Sequence, residues 1–271
     1  MKLNYLNKTK VDWDYSSLAK TYDKRADYSE KLVFNILKET GNAPWKPVIE
    51  IGAGTGKLTK LLCKAKLSVT AVEPNIEMRK IGKKNIKNCD WIDGSAEKTN
   101  VNGNYYSAFF GSSFNVVDHK KTIKELNRIL FNGSKIICLF NHRNLNDDIQ
   151  KQIEMIIKKN IKNYDYGTRR KDLRPLLKKL GCFKDIKYYE DNFNVKYKLK
   201  DIVDAFKSHG TIKIQSKSKF NLVINEIQDF LVSLGKKSLY VPYKTVAYSA
   251  TFKKNDNFSL LCIEKLKIGY N

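Results

Sequence analysis

The tightest constraint on the chain is a strand that runs straight into a glycine turn and then a helix: Val48-Ile49-Glu50-Ile51-Gly52-Ala53-Gly54-Thr55-Gly56-Lys57-Leu58-Thr59. Val48, Ile49 and Ile51 are β-branched and favour an extended backbone. Glycines at 52, 54 and 56 permit positive φ and let the main chain approach a ligand with no Cβ atoms between. Leu58, Leu61, Leu62 and Ala65 recur at i, i+3, i+4 and i+7, the face of a helix laid on a sheet. The start of such a helix is partially positive and suits a carboxylate or phosphate.

Spacing narrows the ligand. A Walker-type loop needs four residues between its glycine and Gly-Lys, then Ser or Thr. Here three residues separate Gly52 from Gly56, and Leu58 follows Lys57. A dinucleotide fingerprint is Gly-x-Gly-x-x-Gly, and the third glycine here comes one residue early. What stands is Glu-x-Gly-x-Gly-x-Gly, beginning at Glu50. The next strand ends in Ala71-Val72-Glu73-Pro74-Asn75, which places Glu73 about 20 residues past the first glycine, where an acid can accept both ribose hydroxyls. The alternative role for Glu73 is a helix N-cap.

Strands are expected at 48–51, 68–72, 89–92, 105–110 and 134–140, with helices between them at 58–65, 77–85 and around Ile123, Leu126 and Leu130, the last closed by Asn132-Gly133. That alternation implies an α/β, Rossmann-like, doubly wound and mostly parallel sheet of seven strands. One helix is expected over 12–39, followed by a break at Gly41–Pro47. Beyond Asn141 the pattern predicts helices at 145–162, 172–180, 199–208 (closed by Gly210) and 220–234, and strands at 184–189 and 243–252. Residues 1–44 would then form an N-terminal helical cap, 45–193 the core, 194–240 a helical insertion between the last two strands, and 241–271 the last strand and tail.

The Glu50–Gly56 string after an apolar strand resembles motif I of class I S-adenosylmethionine-dependent methyltransferases. Several further segments resemble the small-molecule, natural-product branch: Tyr15-Ser-Ser-Leu-Ala-Lys-Thr-Tyr22-Asp23-Lys-Arg25-Ala-Asp27-Tyr28, the stretch 115–139 with Asp118, Glu125 and Arg128, and Val241-Pro242-Tyr243-Lys244-Thr245. The likeness covers about residues 12–253. It implies S-adenosylmethionine as cofactor and S-adenosylhomocysteine as product, with Glu50, Gly52, Ala53, Gly54 and Gly56 at the amino-acid end and Glu73 on the ribose. Pro74, Asn75 and Met78 would line the adenine, although Met78 could equally pack its helix. Gly94, Ser95 and Ala96 would meet the adenine from the third strand, where Ser95 replaces the family's usual acid. Gly111 and Ser112 would lie near the reacting methyl. Tyr22 and Arg25 share a helix face, and Arg25 would bind the methionine carboxylate unless it pairs with Asp23 or Asp27. Tyr15, Tyr28, Phe114, Asn115, Tyr166 and Tyr243 are candidates to line the substrate pocket, or to be core. The Asn/Asp-Pro-Pro-Tyr-like motif of nucleic-acid amino methylases is missing after Phe109-Phe110.

The implied reaction is in-line displacement at a sulfonium methyl, in which protein work is mostly positioning and desolvation. His119 and His142 follow strand ends and are candidate bases or simply polar surface; the acceptor atom is left open among N, O, C and S. The net charge of +23 invites a nucleic-acid partner. Only seven of the 51 basic residues are arginine, however, and base-edge and bidentate phosphate recognition favour arginine. The resemblance implies a small-molecule or natural-product acceptor, which could be peptide-derived, with RNA or protein methylation and non-catalytic cofactor binding as the alternatives. No secretory leader or membrane span is expected, and the five widely spaced cysteines read as buried thiols of a reducing cytoplasm rather than a metal site.

Overall fold

The structure is a computed structural model that describes residues 19–254. Tyr15 and Cys262 lie outside the described residues. Helix α1 (Ala19–Tyr22) is followed by a break and then α2 (Glu30–Glu39), so the single helix expected over 12–39 is interrupted. The start of α2 is fixed at Ser29. Ser29 accepts the Leu32 amide at 3.1 Å through its hydroxyl, satisfying an amide that a helix start leaves orphaned, and the same hydroxyl donates to Asp191 at 2.6 Å.

Strand and helix then alternate as expected: β1 (Val48–Ile51), α3 (Lys57–Lys64), β2 (Val69–Val72), α4 (Ile76–Asn85), β3 (Asp90–Ile92), β4 (Tyr105–Gly111), α5 (His119–Ile129) and β5 (Leu130–Arg143). The later elements are α6 (Asp148–Asn160), α7 (Arg174–Leu180), β6 (Phe183–Lys198), α8 (Leu199–Lys207), α9 (Gly210–Ser216), α10 (Phe220–Ser233) and β7 (Ser238–Phe252). Among the described residues the sheet has seven strands in the order β3-β2-β1-β4-β5-β7-β6. β1 is parallel to both β2 and β4, β2 to β3, and β4 to β5. The chain winds outward from β1 to β3 and then returns to place β4 on the other side of β1. Open α/β sheets bind ligands beyond the strand ends at such a switch point.

Three expectations are corrected. Asn132-Gly133 does not close α5, which ends at Ile129. Gly133, at φ +83°, lies in β5 where the register with β4 shifts: Tyr105 faces Leu130 but Ser107 faces Lys135. A positive-φ glycine suits such a bulge. Gly210 is the first residue of α9 rather than a stop after α8. β6 and β7 extend well beyond 184–189 and 243–252. β6 ends the strand order, so its many polar side chains can face solvent and obscure the apolar alternation.

The described chain divides into two compact units. The sheet unit comprises residues 27–142, 172–193 and 244–254; the helical unit comprises 19–26, 143–171 and 194–243. These boundaries differ from the 44/45 and 193/194 divisions expected from the sequence: α2 joins the sheet unit, and α6 joins the helical unit. In the sheet unit β1 is buried at every position and its side chains alternate between two cores. Ile49 and Ile51 pack with Ile123, Leu126 and Ile129 of α5, while Val48 packs with α2 and α3 through Ile36, Leu58 and Leu62. Full burial of such aliphatic side chains contributes roughly 1.5–3 kcal/mol each. The helical unit has its own core, in which Ile153 and Ile157 of α6, Ile202 and Phe206 of α8, and Val223, Ile227 and Leu231 of α10 come together.

Cys138 and Cys182 are buried as expected, but Cys63 and Cys89 are half-buried neighbours, with the Cys63 thiol 3.4 Å from the Asn88 carbonyl. Among the described residues no helix is long and apolar enough to cross a membrane.

Candidate functional site

The site is built within the sheet unit, from the ends of β1, β2 and β4. The chain leaves β1 at Gly52 with φ +75°. A Cβ there would lie 2.6 Å from the Cβ of Ser113, so the position is closed to any larger residue unless the β4 end moves. The Gly52 and Ala53 amides both donate to the Val72 carbonyl, at 2.9 and 3.0 Å. That bond pair ties the turn to the end of β2. Gly56, at φ +91°, is the left-handed N-cap of α3. A residue with a side chain would be strained in that conformation.

Glu73 completes the turn. One carboxylate oxygen accepts the Gly54 amide at 2.8 Å and the other accepts the Asn75 amide at 2.9 Å. Burial pushes its carboxyl above the ordinary carboxylate range, while the two amides oppose that shift. The N-cap alternative falls away, because the cap of α4 is Asn75, whose side-chain oxygen accepts the Glu77 and Met78 amides at 3.1 and 3.0 Å. Pro74 is exposed at this corner and Met78 is buried behind it. Arg79, one turn into α4, hydrogen-bonds the Glu73 carbonyl and pairs with Asp93 at 2.9 Å. The loop after β3 packs closely: a Cβ on Gly94 would meet the Thr99 carbonyl oxygen at 2.3 Å, Ser95 bridges to Lys98, and Ala96 is buried.

The third wall is the end of β4. Ser112 adopts φ +60° and its hydroxyl lies 3.0 Å from the Tyr28 hydroxyl. Ser113 donates to the Ile51 carbonyl at 2.6 Å and so fastens the β4 end to the β1 end. A Cβ on Gly111 would stand 3.1 Å from the Tyr28 hydroxyl and 3.2 Å from Glu50 Oε1. Tyr28, Glu50, Gly111 and Ser112 are thus brought together, although Tyr28 and Ser112 stand 84 positions apart in sequence. Glu50 is 1% exposed and receives the Thr59 hydroxyl at 2.5 Å. Burial, with that hydrogen bond opposing it, pushes its carboxyl up to about 8.

The remaining candidates are placed as follows. Phe114 is fully buried against Phe110 and Phe183, so it serves the core rather than a pocket wall; Asn115 is half-buried beside it. The Nε2 of His119 is held by the Phe114 carbonyl at 2.9 Å, and burial lowers its pKa. His142 stacks parallel to Phe140. Tyr22, Arg25, Tyr166 and Tyr243 belong to the helical unit. There Arg25 lies 4.3 Å from the Tyr22 ring and donates to the Ser208 hydroxyl at 2.8 Å and to its carbonyl at 2.5 Å. Asp27, its other suggested partner, pairs with Lys57 at 2.7 Å.

Sequence reasoning missed Thr55, Thr59, Arg79 and Ser113. Thr55 sits inside the glycine turn, is 3% exposed, and its hydroxyl makes no hydrogen bond. A buried hydroxyl without a partner costs about 1–3 kcal/mol, and here it belongs to the glycine turn itself. The turn therefore fits a ligand that supplies the missing partner. The other three carried no sequence signal, since each acts through a partner between 6 and 62 positions away.

Residues 48–133 match a family model described as a methyltransferase domain. A malonyl-[acyl-carrier protein] O-methyltransferase of Priestia megaterium is 30% identical over 107 residues, covering 37% of this chain and 39% of the relative. A demethylmenaquinone methyltransferase of Staphylococcus aureus is 27% identical over 150 residues, covering 50% of this chain and 62% of the relative. The matches thus span between 39% and 62% of these relatives. Among solved structures, a chain from Anaeromyxobacter dehalogenans assigned as a type II methyltransferase superposes with a TM-score of 0.64 at 12% identity, covering 84% of this chain and 97% of that one. YjhP of E. coli superposes at 0.53 with 9% identity, covering 88% and 99%. At such identities the superpositions establish the fold: the Rossmann-like doubly wound sheet read from the sequence is the one observed.

Proposed function

We propose that this chain, which carries a methyltransferase domain over residues 48–133 on the sheet of class I methyltransferases, transfers the methyl group of S-adenosylmethionine to a small-molecule acceptor and releases S-adenosylhomocysteine. The observation that carries the reading is the Glu73 carboxylate, buried at the end of β2 with one oxygen on Gly54 and the other on Asn75. A carboxylate fixed at this corner retains lone pairs for a ribose diol. The relatives support the acceptor class, since one is named for malonyl-[acyl-carrier protein] and the other for demethylmenaquinone.

When bound, the cofactor supplies an electrophilic methyl already activated by its sulfonium. The residues of this chain bind and orient. The turn from Gly52 to Gly56, with Ala53 and the Thr55 hydroxyl, holds the amino-acid end. Glu50 lies beside it; an ammonium group nearby would favour its ionised form and reverse the effect of burial. Glu73 holds the sugar. Pro74, Asn75, Met78, Gly94, Ser95 and Ala96 border the base. Gly111, Ser112 and the Tyr28 hydroxyl stand at the end of β4, where the reacting carbon belongs. Neither His119, tied to a carbonyl, nor His142, stacked on Phe140, is assigned as a base.

The test is calorimetric titration of S-adenosylmethionine into the wild type, Glu73→Gln and Glu73→Ala. Saturable binding by the wild type is expected, with affinity at least about tenfold lower in Glu73→Ala. No binding to the folded wild type, or equal affinity in all three, overturns the reading.

A further inference from the structure

The seven arginines of this lysine-rich chain are distributed unevenly. In the sheet unit each has its own carboxylate: Arg79 with Asp93 at 2.9 Å, Arg128 with Glu125 at 2.6 Å, and Arg174 with Asp172 at 2.7 Å. The other four, Arg25, Arg143, Arg169 and Arg170, all belong to the helical unit, where the charge of each lowers the pKa of His209. Their geometry is linked. Arg143 stacks on the Phe206 ring at 4.5 Å, and Phe206 stacks on His209 with centroids 5.6 Å apart. Arg25 grips Ser208, the residue before His209. Arg170 donates to the Arg143 carbonyl at 3.1 Å and lies over the Tyr166 ring at 5.0 Å.

The carboxylate within this group is Glu154, and both of its oxygens are engaged. One accepts Arg143 at 2.8 Å, and the other accepts the Tyr166 hydroxyl. Asp148, Asp201, Asp204 and Glu226 of the same unit pair with lysines instead. Among the described residues no carboxylate forms an ion pair with Arg169 or Arg170. A lysine-rich surface with no purpose for this spot would place lysine here as elsewhere. Arginine presents a planar fork that matches the oxygens of a carboxylate or phosphate.

We propose that the helical unit carries an oxyanion-binding site centred on Arg143, Arg169, Arg170 and His209, which takes the carboxylate or phosphate of a small organic acid. Arg143, 9% exposed and anchored by Gln150 and Glu154, is the fixed floor. Arg169 and Arg170, on the short 3-10 turn of Gly167–Arg170, are the fork that closes on the anion. His209 stays neutral beside them, because burial and then the field of Arg25, Arg143, Arg169 and Arg170 hold its pKa well below the ordinary value. An anion arriving among these charges offsets that field. This inference is independent of the methyl-transfer reading.

His209 supplies the readout, since the chain has three histidines and their ring resonances are separable by NMR. A His209→Gln variant assigns the signal. The full chain is titrated with pH at constant ionic strength in chloride, then with succinate, then with inorganic phosphate. The expected result is a saturable upward move of the His209 midpoint with at least one probe, while His119 and His142 stay put. The stronger probe distinguishes a carboxylate from a phosphate ligand. Arg169→Gln with Arg170→Gln, both away from the core, is expected to weaken the response at least about tenfold, and Arg170→Lys to restore it only in part. A His209 midpoint indifferent to both probes, or an unchanged response in the double glutamine variant, overturns the proposal.

Discussion

The Glu73 carboxylate accepts the Gly54 amide at 2.8 Å across 19 positions of sequence, so the acid at the end of one strand also props the turn that follows its neighbour. Glu73→Ala then does more than remove a ligand contact. It leaves the half-buried Gly54 amide without its carboxylate acceptor, which destabilises the turn. Urea denaturation without any ligand is expected to show a lowered midpoint in Glu73→Ala. Glu73→Gln, which keeps one acceptor oxygen, should fall between that variant and the wild type.

Gly52 is expected to be less replaceable than its flexible backbone alone suggests. Gly52→Ala forces a side chain into φ +75° and brings its Cβ to 2.6 Å from that of Ser113. Ser113→Gly removes the clash but not the backbone strain. In a double-mutant cycle, Ser113→Gly should therefore be less destabilising, or even favourable, in the Gly52→Ala background, with only partial recovery of the denaturation midpoint.

Glu50 predicts a pH dependence with a definite sign. Its carboxyl is raised from 4.5 to about 8 in the folded chain, so the native state holds a proton that the unfolded chain has released. Its contribution to stability is complete below about 4.5 and is lost as pH rises through about 8. Glu73 is shifted in the same direction. Glu125 acts oppositely: burial raises it, but Arg128 and Thr99 prevail and lower it to about 2, so its contribution is lost as pH falls from about 4.5 through about 2. Denaturation at several pH values should show Glu50→Gln flattening the decline between pH 5 and pH 8 and leaving the acid limb in place.

The Arg143–Glu154 pair, with both partners under a tenth exposed, is expected to behave as a buried ion pair. Arg143→Met leaves Glu154 buried without its counter-charge, a cost of about 3–5 kcal/mol. Arg143→Met with Glu154→Leu removes both charges and should recover most of that loss. Thermal melts of the two variants against the wild type measure the difference.

The glycine turn, the strand that feeds it and the acid after β2 were legible because each is a local pattern. β-branched residues set an extended run, positive φ demands glycine, and the spacing of Glu73 follows from one β-α-β turn. The interruption between α1 and α2 was not legible, because the Ser29 hydroxyl that caps α2 is also engaged by Asp191, far along the chain. Gly133 and Gly210 misled for a related reason: a glycine marks an unusual φ or a boundary but does not say whether it ends a helix, bends a strand or begins the next element.

By itself, then, the sequence determined the alternation of β1 to β5, the turn from Gly52 to Gly56 and the place of Glu73, since backbone sterics and hydrophobic period act over neighbouring residues. Only the tertiary structure decided that Tyr28, Glu50 and Ser112 would share one corner, that Thr55 would be buried without a partner, and that Arg25, Arg143 and Arg170 would be tied to the segment around His209. Those relations are set by burial, by electrostatic fields and by hydrogen bonds between distant segments, none of which is encoded in local spacing.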